Sequence, residues 1–130
     1  MNRHLAPAAL ALLYVLPVWG LIRFAPDATA WLLLHAAAPQ GALALAQDAG
    51  LRGEAYYAQQ RWPEAAQAFA LAGKTASYNQ ANALAQAGAL EAAIVAYDVA
   101  LSQEPGEEDA SFNRALAVEA LYRQRLAAAG

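Results

Sequence analysis

Apolar positions follow two different patterns along this chain. From Leu5 to Ile22 the sequence reads "LAPAALALLYVLPVWGLI", with no charged residue. Such a run approaches the ~20 apolar residues that cross a bilayer core. Pro17 predicts a kink, which a helix in a membrane tolerates better than one in water. Trp19 near one end suits an interfacial aromatic. Arg3 and His4 precede the run and Arg23 follows it. Residues 1–27 therefore read as an uncleaved membrane anchor. They also fit a signal peptide cut after "ATA", residues 28–30, or a buried helix. Arg3 and the terminal amine, set against Arg23, favour the N-terminus inside and the remainder outside. The next stretch, "AWLLLHAAAPQGALALA" (30–46), is apolar too. His35, Pro39, Gln40 and Gly41 make it a poor second span. Residues 28–46 read as an apolar connecting helix that lies on the membrane or packs on the C-terminal domain.

Beyond Arg52 the apolar positions take a helical spacing and repeat. One unit is "RGEAYYAQQRWPEAAQAFALAG" (52–73), the next "NQANALAQAGALEAAIVAYDVALSQEP" (79–105). Ala65 and Ala93, Phe69 and Tyr97, and Ala72 and Ala100 stand at one common offset. "ASYNQANAL" (76–84) recurs as "ASFNRALAV" (110–118), which pairs Asn79 with Asn113. Each unit predicts two helices and a turn. Pro63 suits a first helical turn, Gly88 a helix C-terminus, and Glu64 and Glu91 the positive end of a helix dipole. Small-x3-aromatic-x2-small on the second helix predicts close antiparallel packing, ~8–10 Å between axes. The join "AGKTAS" leaves the first unit short and predicts a clipped helix. Residues 106–130 read as a single capping helix, with Phe112, Ala115, Leu116 and Leu121 on its apolar side and Glu119 and Arg123 paired one turn apart.

Composition agrees with an all-α fold. The chain is 59% hydrophobic. Alanine, a strong helix former, makes up about three residues in ten. There is no cysteine, so disulfides, thiolate metal sites and cysteine nucleophiles are excluded. Net charge is −3, and after Asp27 one lysine and five arginines face ten carboxylates. No clustered basic face marks a nucleic-acid binder.

The two units and the final helix resemble the tetratricopeptide repeat. The matching positions are Gly53, Tyr56, Ala65, Phe69 and Ala72, then Ala81, Leu84, Ala93, Tyr97, Ala100 and Pro105. The resemblance implies a short helical-hairpin solenoid over 47–105. The wording of "YNQANALAQAGALEAAIVAYDVAL" and "EDASFNRALA" is similar to the repeat segments of bacterial aerotolerance-operon (Bat-type) proteins. That similarity implies a small accessory of a cell-envelope system with a MoxR-type ATPase. Its partners would be von Willebrand A-domain (VWA) membrane proteins, and its place the cytoplasmic membrane, with the repeats periplasmic. The chain itself carries no von Willebrand A domain and no Asp-x-Ser-x-Ser metal motif.

Catalytic chemistry is not written in the sequence. His4 and His35 stand apart from carboxylate clusters, there is no phosphate-binding glycine loop, and "EPGEED" (104–109) lacks the spaced ligands of a calcium loop. No catalytic residue, metal or cofactor is expected, and no nucleic acid. The expectation is a non-enzymatic interaction scaffold that lays a protein segment across Tyr56, Tyr57, Asn79, Asn82, Asn113 and Arg114. Asn79 matches an asparagine of the family's carboxylate-clamp type. The clamp's basic positions hold Gly50, Glu54, Asp109 and Asn113 instead, so capture of an acidic tail is not expected. A structural use of Asn79 and Asn113, hydrogen-bonding the backbone of the neighbouring unit, stands beside the groove reading. The alternative function is a small assembly subunit of a membrane complex, bound through residues 5–46.

Overall fold

The computed structural model describes residues 5–130, with side chains from Val15 onward. Eight α-helices account for most of it: α1 Leu5–Phe24, α2 Pro26–His35, α3 Pro39–Leu45, α4 Ala49–Ala58, α5 Trp62–Ala72, α6 Ser77–Gln86, α7 Leu90–Gln103 and α8 Glu108–Ala129. A single 3-10 turn, Lys74–Ala76, joins α5 to α6. Among the described residues there is no strand. The protein is all-α, as its alanine and leucine content predicts.

Helix ends follow from local chemistry. Asp48 caps α4 by accepting from the Leu51 N–H at 2.9 Å, which satisfies one of the open donors of a first turn. Proline opens α2, α3 and α5, where its missing N–H costs nothing. Gly88 ends α6 at φ +78° and Gly73 follows α5 at φ +94°, a region that favours glycine. Gln60 takes the same left-handed conformation, at φ +57°, between α4 and α5. The clipped join is present: α5 has 11 residues against 14 in α7.

Helices pack mainly on their chain neighbours, α2 on α3, α4 on α5, α6 on α7, with α8 on α7. The interfaces are built from alanine around one ring each. Ala65, Ala66 and Ala83 surround Phe69. Ala81, Ala93 and Ala110 surround Tyr97. Phe69 and Tyr97 are each only 2% exposed, and Ala65 and Ala93 are fully buried. The offset that aligns these pairs in the sequence thus aligns them in space. Gly53 permits the closest approach: a methyl group there would sit 2.5 Å from the Phe69 ring.

Residues 28–46, read as one connecting helix, form two. Pro39 starts α3, and the chain turns through Ala37 at φ +57°. Ala30, Ala42, Ala46 and Ala55 bring this hairpin against α4. Asp27 fastens it, since its Oδ1 accepts from the Gln47 N–H (2.6 Å) and the Asp48 N–H (3.0 Å). The α2–α3 pair therefore covers the open side of α4, which the shortness of the repeat region required.

The final helix differs from expectation on its packed side. Ala110 and Ala117 are buried, while Phe112 and Leu116 are 64% and 48% exposed, and Ala115 is exposed. Close contact with α7 selects the small residues, two turns apart, and leaves Phe112 and Leu116 outside, while Leu121 is half-buried. The helix runs to Ala129, so Arg123 and Arg125 lie within it.

Among the described residues no helix is long and apolar enough to cross a membrane. The expected anchor rests largely on residues 1–4 and on the side chains of 5–14, which lie outside the described residues. Within α1, Val15, Leu16, Val18, Trp19, Leu21, Ile22 and Phe24 are all exposed.

Candidate functional site

Alternate helices line two cavities. The first, about 510 Å³, is walled by Leu34 and His35 of α2, Glu54 and Tyr57 of α4, and Asn79 and Asn82 of α6, with Phe69 among its lining residues. The second, about 380 Å³, is bounded by Tyr57, by Asn82 and Gln86 of α6, and by Asn113, Leu116 and Ala120 of α8, with Tyr97 also lining it. Tyr57 and Asn82 belong to both. The two cavities adjoin at these residues, and together they follow a groove along α2, α4, α6 and α8.

Helical spacing puts these residues on one face. Asn79, Asn82 and Gln86 are three and four residues apart on α6, as are Asn113, Leu116 and Ala120 on α8, so each set shares a side of its helix. On α4, Glu54 and Tyr57 do the same. The Tyr57 ring meets Trp62 edge-on at 4.7 Å, which sets its position beside the turn into α5.

The three asparagines have different roles. Asn82 Oδ1 accepts from the Tyr97 hydroxyl at 2.6 Å and from Asn113 Nδ2 at 3.2 Å. Asn113 Nδ2 also lies 3.2 Å from the Tyr78 hydroxyl. These bonds tie α6, α7 and α8 together, and they run between side chains, not to backbone. Burial pushes the Tyr97 phenol up to about 12, with the neighbouring Tyr78 adding to the effect. Asn79 is exposed on the groove wall and takes no part in this network.

No family model, curated protein or solved structure matches the chain.

Of the six residues expected to contact a partner, Tyr57, Asn79, Asn82 and Asn113 line the groove. Tyr56 and Arg114 are not among the lining residues. Tyr56 packs beside the Phe69 cluster with the Arg61 guanidinium 4.7 Å above its ring. Arg114 pairs with Asp98 of α7 at 2.6 Å. Leu34, His35, Glu54 and Gln86 are groove residues that the sequence did not single out as contacts. Spacing on the helix was the available signal for Glu54, three before Tyr57, and for Gln86, four after Asn82. Nothing in the sequence announced Leu34 and His35, because α2 falls outside the repeat region.

The polar chemistry of the groove consists of amides, phenols, His35 and the Glu54 carboxylate. His35 is exposed, its ring lies 4.0 Å from that of Trp31, and its Nδ1 is 2.9 Å from the Trp31 carbonyl oxygen. Among the described residues no three His, Asp or Glu side chains gather to hold a metal ion. Such a surface can hydrogen-bond a polypeptide backbone while its aromatic rings meet apolar side chains.

Proposed function

We propose that this protein is a membrane-anchored, non-enzymatic interaction module of the tetratricopeptide kind, which holds a segment of a partner protein in the groove across α2, α4, α6 and α8. The observation that carries the reading is that the two cavities adjoin at Tyr57 and Asn82, which supports a single face drawn from alternate helices. The shared register of Phe69 and Tyr97 supports a repeat architecture, and the α2–α3 hairpin extends it by a unit. The resemblance of 78–101 and 108–117 to Bat-type repeat segments supports partners among von Willebrand A-domain membrane proteins of a MoxR-linked envelope system.

Retention of the N-terminal segment has its own support. A cut after Ala30 would remove Asp27, which holds the Gln47 and Asp48 amides, and would break α2 at a residue that is 1% exposed. Exposed Val15, Trp19 and Ile22 suit a lipid environment, with the repeats on the periplasmic side. They equally suit helices of a membrane complex, the basis of the subunit alternative.

Affinity recovery of the tagged full chain from membranes tests the reading. Asn79→Trp, which fills the first cavity from an exposed position, should abolish recovery of the partner at unchanged helix content. Unchanged recovery with Asn79→Trp, combined with loss on replacing α1 by an unrelated membrane helix, would favour the subunit alternative.

A further inference from the structure

The groove carries one carboxylate, one imidazole (His35) and no lysine or arginine. Glu54 is the sole carboxylate among the residues lining either cavity, and neither cavity is lined by lysine or arginine. None of the ion pairs among the described residues uses it. Four other carboxylates are paired, Glu64 with Arg61, Asp98 with Arg114, Glu119 with Arg123 and Glu91 with Arg125. Glu104, Glu107, Glu108 and Asp109, unpaired among the described residues, lie outside both cavities. Glu54 is exposed on the wall that it shares with Asn79, which is also exposed.

We infer that the occupant is an extended basic segment whose arginine enters the first cavity. This inference rests on the groove reading above and names the chemistry of its ligand. A guanidinium offers five donors in a planar fork and cannot accept. Glu54 and the Asn79 amide oxygen supply acceptors, and the Tyr57 ring supplies a face for the cation. Lysine brings a single point charge and fits this mixed wall less well. Leu34 and Phe69 leave an apolar floor for the stem of the side chain. The second cavity, lined by neutral residues such as Asn113, Leu116 and Ala120, receives an uncharged part of the same segment. Three steps between helices, each at least ~8 Å, give a path of roughly 25 Å. At ~3.3 Å per residue that is about eight extended residues.

The test uses the full chain in zwitterionic detergent micelles and fluorescent ten-residue peptides. Each peptide has a serine–alanine–leucine background and carries arginine, glutamine or glutamate at one position in turn. Anisotropy is read against empty micelles. The arginine series should bind roughly five- to tenfold more tightly than the glutamine series. Glu54→Gln should flatten that preference, and Glu54→Lys should turn it toward glutamate, each at unchanged circular dichroism. Equal binding of all three series, or an unaltered ranking in Glu54→Lys, overturns the basic-segment inference and leaves the groove reading standing. Binding of no peptide above empty micelles overturns both.

Discussion

The Tyr97 hydroxyl, carried by a residue that is only 2% exposed, donates to Asn82 Oδ1 at 2.6 Å. That single bond connects the ring at the centre of one alanine cluster to the floor of the groove. It makes the shape of the groove depend on the packing of α6 on α7. Removing the acceptor leaves a buried hydroxyl without a partner, which costs about 1–3 kcal/mol. Asn82→Ala should lose that much in urea unfolding. Tyr97→Phe combined with Asn82→Ala should lose less than the sum of the two single changes, because neither group is then left alone. A strictly additive double mutant would show that the bond contributes nothing.

Gly53 and Phe69 set the approach of α4 to α5. A Cβ at Gly53 would stand 2.5 Å from the ring, so Gly53→Ala should destabilise by roughly 1–3 kcal/mol through overpacking. Adding Phe69→Leu should recover part of the loss by making room. Stability measured by denaturant unfolding decides this, and an unchanged midpoint for Gly53→Ala would contradict the close contact. Ala93, fully buried beside Tyr97, should respond to Ala93→Leu in the same direction and by a similar amount.

Much of this packing was legible in the sequence because it depends on size at fixed spacing. A small residue four before an aromatic and another three after it describe a helix that another helix can approach. Both units carry that pattern; Ala65, Phe69, Ala93, Tyr97 and Ala100 are buried, while Ala72, at the clipped end of α5, is half-buried. The α2–α3 hairpin was not legible as such. Its contacts are made by Ala30, Ala42 and Ala46 within a run where nearly every residue is apolar, so no polar face marked the period. The groove was half legible. Asn79 and Asn113 share a place in the repeat, yet only Asn79 is free for a ligand. The difference depends on the depth of the Tyr97 hydroxyl and on the reach of Tyr78, which spacing does not report. Arg114 adjoins Asn113 in sequence but lines neither cavity. One residue is ~100° around a helix, enough to turn it from the groove to Asp98.

Asp27 should control how firmly the α2–α3 hairpin is held. Its carboxylate accepts two backbone N–H groups just ahead of α4. Asp27→Ala should raise hydrogen exchange at Gln47 and Asp48 and loosen the Leu34 wall of the groove, while protection within α7 stays as it was. Equal loss of protection along the whole chain would mean that the hairpin does not open separately.

Stability should fall at high pH through Tyr97. Its folded-state pKa is raised to about 12, above the ~10 of a free phenol. The unfolded chain therefore releases this proton first. The contribution is fully present below about pH 10 and is lost between about 10 and 12. An ultraviolet titration should show one late tyrosinate transition that Tyr97→Phe removes. Loss of an early transition instead would contradict the burial of this phenol.

The most direct test of the central claim is photo-crosslinking in membranes from single positions of the full chain. A benzophenone side chain is placed at Asn79, on the groove wall, or at Gln67, which lines a separate cavity between α5 and α6. A discrete protein adduct from position 79, absent from position 67, is the result predicted. Adducts of equal yield from both positions, or none from 79 while a probe at Trp19 of α1 gives one, would contradict the groove as the place where this protein meets its partner.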